Sequence, residues 1–406
     1  MDLAKRIFLV ATLLLPSIAT ADAVLDWNEV ALARVVSARQ SPPDGARTMA
    51  MVHVAMFDAV NAVEQRYAPY AYESRAASGT SAEAAAAAAA YSVLLKLFPD
   101  QASPVETAYA ASMARIPEGT GKLSGIALGR EVGAQCLALR DKDGTGAPAA
   151  YRPRTAPGVY VTTVLPVSSE WPMVKPWFMS DGAQFRPGPP PSLVSPEWAR
   201  DYNEVKNLGA RQSAARSAEQ TEVARFWTIV GAASWNPVVR SLALSKPLSL
   251  VDNARLFALV NMVASDAFVA VFDAKYAHNF WRPITAIRNG DLDDNDATSL
   301  DPEWSPLVDT PLHPAEYPCA HCITAGAIGE VLEAQFGKGE VPAITMTSPT
   351  APGVTHRWTR ISDYVQEVDN ARIWGGIHYR NSTEVGEAMG RKIGVLAAQN
   401  FLKPLN

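Results

Sequence analysis

Two stretches 261 residues apart carry the same spaced pattern, and they constrain the fold more than any other feature. Gly125-Ile-Ala-Leu-Gly-Arg-Glu-Val-Gly133 and Gly386-Glu-Ala-Met-Gly-Arg-Lys-Ile-Gly394 both read GxAxGRxxG. A second match pairs Ala50, Val52, Asp58, Ala59, Ala62 and Val63 with Ala258, Val260, Asp266, Ala267, Ala270 and Val271 at a constant offset of 208. Matched helices at the start and end of each half imply two related helical bundles packed together. Chance matching among alanine-rich helices is the competing explanation. Alanine and aliphatic residues dominate and alternating, strand-like runs are few, so the fold class read from the chain is all-α.

Apolar periodicity predicts helices over 46–63, 81–98, 103–116, 123–139, 197–208, 214–230, 253–288, 323–336, 362–374 and 382–401. Between the halves lies an irregular stretch rich in glycine, proline and threonine, including Arg186-Pro187-Gly188-Pro189-Pro190-Pro191, with short strands expected near 159–164. A loop of that length is usually functional or packs over something. The organisation expected is therefore a first helical half over 22–141, a crossover loop over 142–196 and a second helical half over 197–406. Residues 1–21 read as a signal peptide: Lys5 and Arg6 are basic, the apolar run from Ile7 to Ala19 is too short to span a bilayer, and Ala19-Thr20-Ala21 fits an A-x-A cleavage site. An exported, periplasmic or secreted protein follows. No later apolar run is expected to be long enough, without polar interruption, to span a bilayer.

The formal charge is −5 and the pI about 5.8, which provides no basic footprint for nucleic acid or anionic lipid. Three cysteines do not make a disulfide framework. The obvious pair is Cys319 with Cys322.

The chemistry-bearing residues concentrate in the second half. Lys275 and Arg282 are seven apart, which on one helix places both cations on one face, with Pro283 marking a kink or an end. His321 sits at the expected start of a helix, where free N–H groups and the dipole favour an oxyanion. Arg372 and His378 flank Gly375-Gly376, a helix end that turns His378 back toward Arg372. Each piece has a plainer explanation: a solvated basic pair, a capping histidine, a cation complementing a helix C-terminus. Zinc at Cys319, His321, Cys322 and His313 is disfavoured, because the first three are too tightly spaced to chelate one ion. At the 208 offset Lys275 falls on Tyr67, and at 261 His378 falls on Pro117. The first half therefore lacks the charged groups and reads as a scaffold.

Together these pieces resemble the vanadium-dependent haloperoxidases and type 2 phosphatidic acid phosphatases, which share KxxxxxxRP, PSGH and SRxxxxxHxxxD. The chain has Lys275-YAHNFW-Arg282-Pro283 intact, Pro318-Cys319-Ala320-His321 for the second motif, and Ala371-Arg372-IWGGI-His378-YRN-Ser382 for the third. Arg225-Phe226-Trp227 with Trp235-Asn236 is similar to the bacterial haloperoxidase-like branch. The resemblance implies two four-helix-bundle-like halves related by pseudo-symmetry and an oxyanion held by Lys275, Arg282, Arg372, Cys319 and the amide of Ala320. His321 and His378 would be catalytic, with vanadate on His378 and phosphate able to occupy the same site. The implied activity is halide oxidation by hydrogen peroxide. The alternatives are a periplasmic acid phosphatase working through a phosphohistidine at His378, and a non-catalytic oxyanion binder. The implied substrates are small molecules, halide and peroxide or a phosphomonoester, and a homo-oligomer is compatible with the sequence. Cys319, Ala371 and Ser382 depart from the motifs. Asp266, Glu222 and Asp363 are the candidate carboxylates to orient His321.

Overall fold

Serine or aspartate side chains cap six of the thirteen α-helices found among the described residues. The structure, a computed structural model, describes residues 22–148, 151–162, 164, 167–246, 248–309 and 314–405. The expected signal peptide and His313 lie outside the described residues. The first half comprises α1 (Ala23–Ser37), α2 (Pro42–Glu64), α3 (Ala82–Leu97), α4 (Ala102–Ala114) and α5 (Thr120–Leu139). Asp22, Ser41 and Ser81 cap α1, α2 and α3 by accepting first-turn amides. The second half comprises α6 (Pro196–Leu208), α7 (Ala218–Phe226), α8 (Asn236–Ser245), α9 (Leu250–His278), α10 (Pro283–Arg288), α11 (Ala320–Phe336), α12 (Ile361–Trp374) and α13 (Arg380–Asn400). A hairpin of β1 (Ile344–Ser348) and β2 (Ala351–Trp358), antiparallel, lies before α12.

The all-α expectation with two related halves holds. In the first half α2 packs on α3 and α5; in the second α9 packs on α11 and α13; and α2 packs on α9 between them. The two central helices are buried along nearly all of their length, which explains their all-round apolar composition. Contrary to expectation, α9 is long and apolar enough to cross a membrane by length and composition, yet its most apolar window is wholly enclosed.

The repeated glycines do equivalent work in the two halves. A Cβ at Gly125, Gly129 or Gly133 would meet the carbonyls of Ser81, Ala85 and Ala89 on α3. A Cβ at Gly386, Gly390 or Gly394 would meet those of Cys319, Ile323 and Ala327 on α11. The contacted residues are related by a constant 238 positions. Glycine is needed because the two helix backbones touch.

The matched aspartates also do equivalent work. Asp58 on α2 accepts the amides of Tyr70, Ala71 and Tyr72 at 2.8, 2.9 and 3.1 Å. Asp266 on α9 accepts those of Trp177, Phe178 and Met179 at 2.7, 2.8 and 3.2 Å. Burial pushes both carboxyls up to about 6. Asp266 thereby pins the crossover loop to the central helix. Earlier in the chain the same loop runs beside the end of α9, where Tyr160 N donates to Asn279 O at 2.8 Å and Trp281 N to Gly158 O at 3.0 Å. Among the described residues, the strands expected near 159–164 reduce to one bridge, Val159 with Phe280.

Other differences are local. α1, α8 and the hairpin were not expected. The helix expected over 253–288 is two helices, because Asn279 adopts φ 50° and closes α9 with its amide on Lys275 O.

Candidate active site

Five chain segments deliver the site. Lys275 lies in the last turn of α9, and Arg282 precedes α10 in an extended conformation. The two cations therefore do not share one helix face. They meet because the chain leaves α9 at Asn279 and returns. His321 occupies the first turn of α11, Arg372 the last turn of α12, and His378 the link into α13. Gly376 at φ 78° makes the turn between the last two, as its spacing led us to expect. Lys275, Arg282, Ala320, His321, Arg372 and His378 line one cavity of about 170 Å³, with Phe268, Phe272, Trp235 and Val230 among its apolar walls. Pro42 and Pro43 of α2 also line it, so the first half supplies wall as well as support.

Backbone carbonyls hold the cations. Lys275 Nζ donates to Ala315 O at 2.8 Å and Glu316 O at 2.7 Å. Arg282 donates from Nε and Nη2 to Pro314 O and from Nη1 to Ile377 O, at 3.0, 2.8 and 2.9 Å. Arg372 Nη1 donates to Trp227 O, while its buried Nε has no acceptor among the described residues.

The histidine tautomers follow from their neighbours. Arg282 Nη1 lies 3.2 Å from His378 Nε2. Guanidinium only donates, so Nε2 carries the lone pair and the ring proton sits on Nδ1. Nδ1 then donates to Glu316 Oε1 at 2.7 Å. Likewise Ile229 O lies 3.0 Å from His321 Nε2, which must donate, leaving Nδ1 of His321 unprotonated.

The electrostatics are those of a pocket short of negative charge. Burial, then Arg282, lowers the Lys275 ammonium well below its ordinary value, with Arg372 adding to the effect. Burial lowers the Arg282 guanidinium, and burial with Arg282 lowers that of Arg372. Burial and the surrounding cations hold His378 well below its ordinary value and bring His321 down to about 3, so both rings are neutral. Burial pushes the Glu316 carboxyl up to about 7 against the pull of Lys275 and Arg282. A bound oxyanion would relieve each of the cationic strains at once.

Among the residues expected from sequence, Lys275, Arg282, Ala320, His321, Arg372 and His378 converge. Cys319 does not serve as expected. It is fully buried and bonded to Cys322, so it has no S–H to donate, and its Sγ instead accepts the Cys322 amide at 3.2 Å as the α11 cap. The candidate partners of His321 are also corrected. Asp266 binds the crossover loop, Glu222 lies beside His356 at 3.7 Å, Asp363 accepts from Ser362 Oγ, and among the described residues a carbonyl rather than a carboxylate orients His321. The carboxylate in the site is Glu316, which pattern reading passed over. Its only signal was its place as one of two residues that disturb spacing before Pro318.

Residues 255–406 match the family model described as the VCPO second helical-bundle domain. The chain is 25% identical over 192 residues to vanadium chloroperoxidase from Curvularia inaequalis, an alignment covering 39% of this chain and 31% of that relative. In fold it is similar to the first bacterial vanadium-dependent iodoperoxidase, with TM-score 0.79 and 22% identity, covering 94% of this chain and 97% of the other. It is also similar to the apo-type bacterial vanadium-dependent chloroperoxidase, with TM-score 0.70 and 16% identity, covering 89% and 94%.

Proposed function

We propose that this chain, whose residues 255–406 match the VCPO second helical-bundle domain and whose fold is similar to that of solved vanadium-dependent haloperoxidases, holds vanadate on His378 and oxidises a halide with hydrogen peroxide. The observation that carries this reading is the pairing of an unprotonated His378 Nε2 with a buried, three-cation cavity in which Arg372 Nε lacks an acceptor. These residues fit a tetrahedral oxyanion. Lys275, Arg282 and Arg372 supply the opposite charge, the Arg372 fork, whose Nε lacks an acceptor among the described residues, suits paired oxygens, and the Ala320 amide at the start of α11 adds a neutral donor.

When bound, vanadate supplies a Lewis-acidic centre that activates peroxide toward halide. The chain's own residues do the rest. His378 presents Nε2 as ligand. Neutral His321, with Nε2–H fixed on Ile229 O, has Nδ1 to take a proton from peroxide and return it. The apolar walls limit water around the charged floor and strengthen its electrostatics. The signal-peptide reading of residues 1–21 supports export, and processing at Ala21 is checked by N-terminal sequencing of the secreted protein.

The test is calorimetric titration of orthovanadate and of phosphate into the metal-free mature protein, with peroxide-dependent iodide and bromide oxidation measured on the same sample. Tight vanadate binding together with halide oxidation is the expected result. Phosphomonoester hydrolysis inhibited by vanadate, without halide oxidation, would replace this reading with the phosphohistidine one. Oxyanion binding with neither activity would leave a binding protein.

A further inference from the structure

The segment 314–316 touches three of the site's residues, the cations Lys275 and Arg282 and the neutral His378. Pro314 O accepts from Arg282, and Ala315 O and Glu316 O accept from Lys275. Glu316 also sends its carboxylate under His378, with Oε1 at 2.7 Å from Nδ1. That oxygen also accepts the Tyr379 amide at 3.2 Å. Ser382 Oγ lies 3.4 Å from the same Nδ1. Glu316 is completely buried, and a carboxylate is costly to bury unless it is paired and hydrogen-bonded.

We propose that Glu316 is the positioning residue of His378: its carboxylate holds the Nδ1–H tautomer and the ring plane, so that the Nε2 lone pair faces the oxyanion cavity. A plain counter-charge would explain a carboxylate near three cations equally well, but the two roles predict opposite signs. A counter-charge repels any anion entering the cavity, so removing it tightens all oxyanions alike. A positioning residue acts through the His378 nitrogen. Its loss therefore weakens an ion that bonds to that nitrogen and spares one held by charge alone. The use of vanadate as the bonding ion rests on the function proposed above; the tautomer assignment does not.

The experiment compares the wild type with Glu316→Gln, Glu316→Ala and Glu316→Ala/Ser382→Asp. Nitrogen-15 shifts of His378 are read in the ligand-free proteins, and orthovanadate and phosphate affinities by calorimetry. Wild type is expected to show Nδ1–H with an unprotonated Nε2, and Glu316→Ala to lose that single tautomer. Vanadate affinity in Glu316→Ala should fall about 10- to 100-fold, the usual cost of removing the partner of a ligating histidine, with phosphate affinity not reduced. Aspartate at 382, within reach of the same nitrogen, should recover much of the vanadate affinity. Should the alanine variant fail to fold, the wild-type tautomer and the isosteric Glu316→Gln carry the test, the latter with a smaller vanadate loss.

An Nε2–H tautomer in the wild type, or vanadate and phosphate affinities that rise together in Glu316→Ala, would overturn the assignment. A wild type with the Nδ1–H tautomer that binds no vanadate would instead overturn the proposed function and leave Glu316 as the positioning group.

Discussion

Asn28 Nδ2 donates to Asn236 Oδ1 at 2.7 Å, and the two residues stand 208 positions apart in the chain. The contact joins α1 to α8, and the residues around it repeat at the same offset. Trp27 answers Trp235, and His53, whose Nε2 lies 2.9 Å from Asn28 Nδ2, answers Asn261, which accepts from Asn236 at 3.2 Å. The duplicated halves thus meet through a buried polar pair made of two equivalent asparagines. The duplication extends into α1 and α8, beyond the two helix pairs that the spaced patterns marked.

His53 is the asymmetric member of this network, and burial lowers its imidazole to about 3. Its folded value lies below its unfolded value, so its stabilisation is present above about pH 6.5 and is lost as pH falls toward 3. His53→Asn copies the other half and removes this dependence. Wild type should lose about 1.4 kcal/mol per pH unit relative to the variant across that window. Asp58 and Asp266, raised to about 6, act in the opposite sense, present at low pH and lost as pH rises through 6. The wild-type-minus-variant difference in urea unfolding between pH 7 and 5 cancels them. A difference that does not change with pH would show that His53 is not buried as a neutral ring.

The equivalent glycines should differ in functional cost. A Cβ at Gly390 would stand 2.0 Å from Ile323 O, and one at Gly129 would stand 2.3 Å from Ala85 O. Either alanine should destabilise by about 1–3 kcal/mol through overpacking. Only Gly390→Ala pushes on α11, which carries Ala320 and His321 into the site, so it alone should weaken oxyanion binding. Denaturation and calorimetry on both variants check this.

Asp266→Ala strands the amides of Trp177, Phe178 and Met179, for a loss on the order of 3 kcal/mol. Hydrogen exchange should rise at these amides and along the loop where it pairs with Asn279 and Phe280. Asp58→Ala should cost a similar amount and raise exchange only around Tyr70 to Tyr72. Oxyanion affinity should drop in the first variant and hold in the second.

Arg372→Ala should weaken both vanadate and phosphate. The lost charged hydrogen bonds amount to about 1.5–3 kcal/mol, roughly a 10- to 150-fold rise in Kd. Arg372→Lys should restore little, because a point charge does not replace the fork whose Nε lacks an acceptor. Unchanged Kd values in Arg372→Ala would place the oxyanion elsewhere.

Cys319 caps α11 as Ser81 caps α3, at positions related by the same 238 offset as the glycine contacts. Closing so short a loop with the disulfide is worth about 2 kcal/mol. Cys319→Ser/Cys322→Ala trades this for a better cap, worth about 1 kcal/mol. The variant should therefore lose about 1 kcal/mol net, keep its oxyanion affinity, and lose the sensitivity of wild-type stability to reductant. Denaturation with and without dithiothreitol reads all three strands of this expectation when paired with a vanadate titration.

Local chemistry made much of this protein legible in advance. Apolar periodicity and repeated glycines act over a few residues, so most helices, though not α1 and α8, together with the duplicated architecture and the identities of Lys275, Arg282, His321, Arg372 and His378, could be read from the chain. Tertiary structure alone decided how those side chains are held. Lys275 and Arg282 meet across a chain reversal at Asn279 rather than along a helix face. Their acceptors are carbonyls of Pro314, Ala315, Glu316 and Ile377, and Arg372 and His321 use those of Trp227 and Ile229. Every residue type carries the same carbonyl, so no sequence pattern marks which ones will be used. Glu316 reaches His378 across 62 positions. A bond of that span exists only because α9, α11 and α13 pack as they do, whereas the sequence alone shows just one more glutamate among surface-favouring residues.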